Sequence, residues 1–133
     1  ELSEILECFS KLKNEMTVHM MKEESVLFPF IQRISDTGEK IVPGFGTVKN
    51  PIALMEAEHA QAGQWLEEIK KSTRNYTAPA DACVTYKLYF SELQDFEKDL
   101  HRHVHLENNI LFPKAIALEK DIMDRENLST NNN

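Results

Sequence analysis

Apolar residues recur along three stretches of the chain in alternating steps of four and three, which is the spacing of a helix that buries one face. Two breaks separate these stretches. The first, 35–51, is polar and contains three of the four glycines, and the second, 72–80, contains Pro79 near its end. The pattern predicts three helices, at about residues 2–33, 51–73 and 79–122.

The sequence also indicates where some of the predicted helices begin and end, although less strongly than it indicates the helices themselves. Asn50 followed by Pro51 is typical of a helix start, because asparagine can cap the first turn and proline fits its first position. Residues 124–133 are polar and without periodicity, so we expect a frayed tail there. The rest of the 133-residue chain is long enough for one core but not for two, which predicts a single domain over residues 1–123.

Each predicted helix places ionisable residues among its buried positions. The stripe of the first helix runs through Ile5, Phe9, Leu12, Met16, His19, Glu23, Val26 and Phe30. That of the second runs through Ile52, Met55, His59, Ala62, Leu66 and Ile69, and that of the third through Tyr86, Tyr89, Leu93, Phe96, Leu100, His103, Glu107 and Ile110. Histidine and glutamate thus occupy positions where apolar residues are expected.

An internal repeat relates the first and third helices. HMMKEESVLFP, from His19 to Pro29, and HVHLENNILFP, from His103 to Pro113, share His, Glu, Leu, Phe and Pro at identical offsets. Two short connections make these helices parallel, as diagonal partners in a bundle usually are. We therefore expect an all-α, up-and-down four-helix bundle whose first helix lies before Glu1. An apolar groove left for that helix predicts a homo-oligomer.

Composition and charge narrow the function classes. The chain is 41% hydrophobic and 28% charged, with a net charge of -7, which disfavours nucleic acid and anionic lipid as partners. It contains no apolar stretch long enough to span a membrane and no opening signal peptide. We expect a cytoplasmic protein whose partners are small molecules, metal ions or other proteins.

The ionisable residues at buried positions predict a metal site. Burying a carboxylate is costly unless a cation compensates it, and carboxylate oxygen and neutral imidazole nitrogen are both metal ligands. Each HxxxE motif places both side chains on one helix face, so the two motifs and the second helix bring together five candidate ligands: His19, Glu23, His59, His103 and Glu107. The alternative is a structural core in which these side chains satisfy one another, for example Glu23 with His59, without a stoichiometric metal.

Neighbouring residues of similar chemistry are assigned to other roles. His101 and His105 lie two residues either side of His103, so helical geometry directs them away from the buried stripe. Glu56 precedes His59 by three residues, and we interpret it as solvated or as orienting the His59 ring. The proline that follows each HxxxE motif predicts a kink or an end in both helices.

The motifs HMMKEESVLFP, PIALMEAEHAQAG and HVHLENNILFP resemble hemerythrin-like di-iron proteins, and among them the bacterial repair of iron centres (RIC) family. The resemblance covers about Glu1 to Leu118 and includes YTAPADAC before the last helix. It implies two non-haem iron ions, oxo- or hydroxo-bridged, in a four-helix bundle. It also implies terminal histidine ligands and bridging glutamates from the five candidates, together with one more histidine from an earlier helix.

The resemblance also implies a function: repair of iron-sulfur clusters damaged by nitrosative or oxidative stress. Labile iron donation or handling of NO at the di-iron site would serve it, and the partners would be damaged iron-sulfur proteins with NO, O₂ or peroxide as small ligands. Whether the protein is an enzyme that reduces NO stays open. The alternative is a hemerythrin-type protein that binds or senses O₂ or NO without repair. A donor releases iron to an apo-cluster protein, whereas a sensor keeps it.

Overall fold

The computed structural model describes residues 2–132, which form three long helices and two loops, with no strand among them. The first long helix comprises α1 (Leu2–Lys22), a first π turn (Glu23–Leu27) and α2 (Phe28–Thr37). The second is α3 (Lys49–Ser72). The third comprises α4 (Val84–Leu106), a second π turn (Glu107–Leu111) and α5 (Phe112–Asn131). The all-α prediction is confirmed, and a fourth helix before Glu1 stays a prediction.

Both HxxxE motifs end in a π turn rather than in a kink or a helix end. Pro29 and Pro113 lack the N–H that would donate to the carbonyl four residues earlier. The residue before each proline donates five residues back instead, from Phe28 to the Glu23 carbonyl and from Phe112 to the Glu107 carbonyl. Turns of this type are frequent at functional sites.

The π turns shift the buried stripe by one or two residues. Val26 and Ile110, which the periodicity places in the core, are 49% and 42% exposed. Leu27 and Phe112 are buried instead. An extra residue in each turn rotates the helix relative to a regular α-helix, which explains why two predicted core positions are wrong.

Two apolar clusters fill the interior. The first contains Ile5, Leu12, Met16, Ala62, Leu66, Ile69, Phe90, Leu93 and Leu100. The second contains Leu27, Phe30, Ile34, Val48, Ile52, Met55, Phe112, Ala115 and Ile122. Along each long helix the candidate ligands lie between the two clusters. Their order is reversed on α3, so α3 is antiparallel to the other two long helices, which are parallel as the repeat predicts.

The start of α3 is held by a carboxylate from α5 rather than by Asn50. The backbone N–H of Val48 donates to Glu119 Oε2 at 2.9 Å, and the Thr47 hydroxyl donates to the other oxygen of the same carboxylate. The Asn50 side chain donates to the carbonyl of Phe45. The predicted Asn50 cap is therefore wrong, because a residue distant in sequence satisfies the first turn.

The last residues continue α5 to Asn131, where the sequence predicted a frayed tail. They contain no glycine or proline, and the Thr130 hydroxyl donates to the carbonyl of Glu126, so nothing interrupts the helix although its side chains are exposed. Among residues 2–132, every helix is too short or too polar to cross a membrane.

Replacing Leu12 by alanine tests the first apolar cluster. Leu12 is completely buried, so we expect Leu12→Ala to lower the free energy of unfolding by about 2–5 kcal/mol in urea denaturation. Leu6, on the same helix and 45% exposed, is the matched control, and Leu6→Ala should change it by less than about 1 kcal/mol. Equal losses in the two variants would show that the buried face is assigned incorrectly.

Candidate metal centre

The structure brings all five predicted ligands together. Each of His19, Glu23, His59, His103 and Glu107 offers a nitrogen or an oxygen, and these atoms all lie within 4.8 Å of one another. Four of the five residues are buried, while the side chain of His103 is 25% exposed. The group is therefore an enclosed polar layer between two apolar clusters, open toward solvent mainly at one histidine.

The two HxxxE motifs form similar pairs on parallel helices. His19 Nε2 lies 2.7 Å from Glu23 Oε1, and His103 Nε2 lies 2.7 Å from Glu107 Oε1. Each carboxylate also approaches the histidine of the other motif, at 3.7 Å between Glu23 Oε2 and His103 Nε2 and at 3.9 Å between Glu107 Oε1 and His19 Nε2. Both carboxylates are thus within reach of both motifs.

His59 completes the group from the antiparallel helix. Its Nε2 lies 3.0 Å from Glu107 Oε1 and 3.1 Å from His19 Nε2. The ring of Phe112, fully buried, lies parallel to the His59 ring with 6.2 Å between the centroids. An apolar wall therefore borders the imidazole on one side while its Nε2 faces the other ligands.

Glu58 and Asn108, which we call the outer partners because they are not among the five candidate ligands, each hold a histidine ring through its Nδ1. Glu58 Oε1 accepts from His19 Nδ1 at 2.9 Å, and Asn108 Oδ1 accepts from His59 Nδ1 at 2.9 Å. Lys22 Nζ donates to the second Glu58 oxygen at 2.8 Å. Although partial burial opposes it, these hydrogen bonds from Lys22 and His19 lower the pKa of Glu58. With Nδ1 engaged, only Nε2 of each ring is left for the centre, which is the usual arrangement of histidines that bind metals.

Several buried polar atoms of the group have no hydrogen-bond partner. They are Glu23 Oε1, His103 Nε2, Glu107 Oε1 and Glu107 Oε2. Their contacts are short but are not directed as hydrogen bonds, so the alternative of a mutually satisfied core does not explain them. Leaving such atoms unpaired is costly, and a cation among them would remove the cost. The donor set therefore fits a metal centre.

The carboxylates of Glu23 and Glu107 favour positive charge on the neighbouring imidazoles of this polar layer. Burial lowers the pKa of His19, but the carboxylates of Glu107 and Glu23 beside its ring outweigh burial and raise that pKa to about 10. The same two carboxylates lie beside the His103 ring and, although burial opposes them, raise the pKa of His103 to about 9. Burial raises the pKa of Glu107, yet its histidine partners hold that pKa well below its usual range. A positive charge next to Glu107, on a protonated imidazole or on a bound cation, therefore stabilises this layer at neutral pH.

For the residues near the group, the structure agrees with some of the predictions made from the sequence and differs from others. His101 and His105 are exposed, as predicted. Glu56 is exposed as well, and the His59 ring is oriented by Asn108 instead. Sequence reasoning missed both outer partners, Glu58 and Asn108. Each is adjacent in sequence to a candidate ligand but serves the histidine of another helix, so the signal lies in that adjacency combined with helix packing.

Two HxxxE motifs and a lone histidine, gathered between antiparallel helices, define a helical cation-binding protein. The chain belongs to the hemerythrin family, whose HHE cation-binding domain matches residues 1–115. Membership confirms the resemblance drawn from the sequence motifs.

Curated relatives extend the comparison. The chain is 45% identical over 120 residues to the iron-sulfur cluster repair protein YtfE of Yersinia pseudotuberculosis, covering 90% of this chain and 47% of the relative. It is 44% identical over 112 residues to YtfE of Cronobacter sakazakii, with 84% and 46% covered, and 44% identical over 109 residues to YtfE of Escherichia coli O81, with 81% and 45% covered. The chain spans about half the length of these relatives.

Asn108 and its neighbour Asn109 allow a matched test of the outer partners. We expect Asn108→Ala to weaken iron binding about 10–100-fold, because the His59 ring loses its orienting acceptor. Asn109 contacts His105 outside the group, so Asn109→Ala should leave iron affinity unchanged. Competition with a calibrated chelator measures both affinities. Equal losses of iron affinity in the two variants would mean that iron binding depends on the second π turn as a whole and not on the hydrogen bond between Asn108 and His59.

Proposed function

We propose that this chain holds two non-haem iron ions and contributes to the repair of iron-sulfur clusters damaged by nitrosative or oxidative stress. The observation that carries the proposal is the set of buried, unpaired carboxylate and imidazole atoms between the two apolar clusters. The curated relatives, named iron-sulfur cluster repair proteins, support the choice of iron and of repair.

In this proposal the histidines and glutamates have different roles. His19, His59 and His103 would be terminal ligands through Nε2, while Glu23 and Glu107, each within reach of both motifs, would be shared between the ions. Bound iron supplies a redox-active Lewis acid with positions for NO, O₂ or peroxide. Glu58 and Asn108 hold two imidazole rings in register, and the apolar clusters exclude bulk water from the layer.

Iron as cargo would leave by the side on which the layer is most open. His103 is the candidate ligand with the greatest exposure, so a recipient protein would reach the centre there first. The same open side supports a centre that releases iron more readily than a fully enclosed one. We propose damaged iron-sulfur proteins as the recipients, with NO, O₂ or peroxide as the small ligands.

A hemerythrin-type sensor or store would use the same five residues, so the decisive experiment follows iron. The iron-loaded chain is mixed with an apo iron-sulfur protein, sulfide and a thiol reductant, and cluster formation on the recipient is followed by visible absorption. A donor loses iron to the recipient protein, whereas a sensor retains its iron in the same mixture. Glu56→Ala, changed at an exposed position, serves as a control with an intact centre. Retention of all iron would contradict donation and favour the sensor.

We further propose that the chain self-associates. Large apolar side chains are exposed on the first and third long helices, among them Val18, Met21, Leu88 and Leu106. Covering such side chains favours association. Sedimentation velocity over a concentration series should show a homo-oligomer, and a monomer at all concentrations would contradict this part of the proposal.

A further inference from the structure

His101 and His105 form a second pair of imidazoles on α4, outside the centre described above. They are four residues apart and both precede the second π turn, so regular α-helical geometry places them about 6 Å apart along the axis on one face. Both are exposed. His103, between them in sequence, contacts Glu107 in the polar layer. One helix therefore presents imidazole both toward the layer and toward solvent.

The two exposed histidines line the same cavity. It has a volume of about 270 Å³, and its walls include Gly63 and Leu66 of α3 together with Leu100 and Val104 of α4. His59 also borders it, and the same residue belongs to the polar layer. The shared cavity places both exposed imidazoles at the edge of one space, where a single ion could contact them.

Asn109 orients the second imidazole of the pair. Its Nδ2 lies 2.8 Å from His105 Nδ1. A half-turn of the amide, which exchanges its nitrogen and oxygen, makes Asn109 accept from His105 Nδ1–H and leaves Nε2 with a free lone pair. The preceding residue, Asn108, holds His59 Nδ1 in that way with its amide oxygen. Adjacent asparagines of one π turn thus contact imidazoles on two different helices.

We propose that His101 and His105 bind one divalent first-row metal ion, separately from the dinuclear centre. Two histidines at this spacing on one helix face are a recognised way for a helix to bind zinc, and imidazole suits Zn²⁺, Ni²⁺ and Cu²⁺. The two side chains supply two neutral nitrogens, and water completes the coordination. The site has no carboxylate and is exposed, so its ion exchanges faster than one held in the polar layer.

The experiment titrates Ni²⁺ into the iron-loaded chain by calorimetry, with iron content measured before and after. We expect one Ni²⁺ per chain, bound without loss of iron. His101→Ala and His105→Ala should each weaken Ni²⁺ binding about tenfold or more, because a chelate becomes a single imidazole. Arg102→Ala, at an exposed position between them, is the matched control and should bind Ni²⁺ normally.

Two outcomes would overturn this proposal. One is the absence of stoichiometric Ni²⁺ binding by the unaltered chain, and the other is unchanged Ni²⁺ affinity in a variant lacking both histidines. Because iron is measured in the same samples, failure of the outer site is distinguishable from failure of the dinuclear centre. Asn109→Ala gives an independent check: it should weaken Ni²⁺ binding while Asn108→Ala does not, the reverse of their effects on iron.

Discussion

Replacing either Glu23 or Glu107 by alanine is expected to abolish the proposed dinuclear iron centre. Each carboxylate approaches the histidines of both HxxxE motifs, and no other acidic side chain belongs to the group within the described residues. A carboxylate shared by two ions has no substitute there. Iron content should fall from about two per chain to below one, and the visible absorption of the centre should disappear.

Glu56→Ala is the control for these two variants, because Glu56 is exposed and close in sequence to His59. It should retain about two irons per chain, the content expected of the unaltered protein. Circular dichroism of all three variants shows whether the helices persist, so loss of iron is separable from unfolding. If Glu23→Ala or Glu107→Ala kept two irons in a folded chain, the assignment of shared carboxylates would be wrong.

The second large effect compares three histidines on one helix. His103→Ala should reduce iron content by at least about one ion per chain, because its Nε2 is one of the buried, unpaired atoms that face the carboxylates. His101→Ala and His105→Ala should leave iron content and the absorption spectrum unchanged, since both side chains are exposed on another face. Iron analysis and visible spectra of the three proteins make the comparison.

This comparison also tests the orientation of α4. A rotation of the helix by two residues would exchange the roles of the inner and outer histidines. Loss of iron in His105→Ala with retention in His103→Ala would contradict the structure of this helix as well as the ligand assignment. Loss of iron in all three histidine variants would indicate that iron binding requires the whole HRHVH segment.

The grouping of the candidate ligands could be predicted from the sequence because helical periodicity is local and regular. His19 and Glu23 lie one turn apart in a stripe whose other members are apolar, and the repeat at His103 and Glu107 adds an independent signal. Such polar residues in buried positions are informative since their burial needs compensation. The structure brings one potential ligand atom from each of the five predicted residues within 4.8 Å of the others.

The π turns could not be predicted from periodicity, which assumes one rotation per residue throughout. The prolines signalled a disturbance in both helices, but a kink, an end and a widened turn are all compatible with a missing N–H. Only the packed structure selects the turn that keeps Glu23 in the polar layer and buries Leu27. The exposure of Val26 and Ile110 follows from that selection.

Contacts between side chains of different helices depend on which helices pack together. The sequence pattern does not specify this packing in detail. Glu58 serves His19, 39 residues away, and Glu119 holds the start of α3 from α5. Asn50 and Glu56 have suitable side chains at suitable spacing, yet other residues perform both roles. Local signals therefore predicted the elements and the ligand set better than they predicted the residues that orient them.

A dinuclear iron centre is tested most directly by iron content combined with anomalous scattering at the iron edge from crystals of the iron-loaded chain. We expect about two irons per chain and two anomalous peaks about 3.5–4 Å apart, bounded by His19, Glu23, His59, His103 and Glu107. Chains that remain free of metal after anaerobic loading with Fe²⁺, or anomalous peaks away from these five side chains, would contradict it.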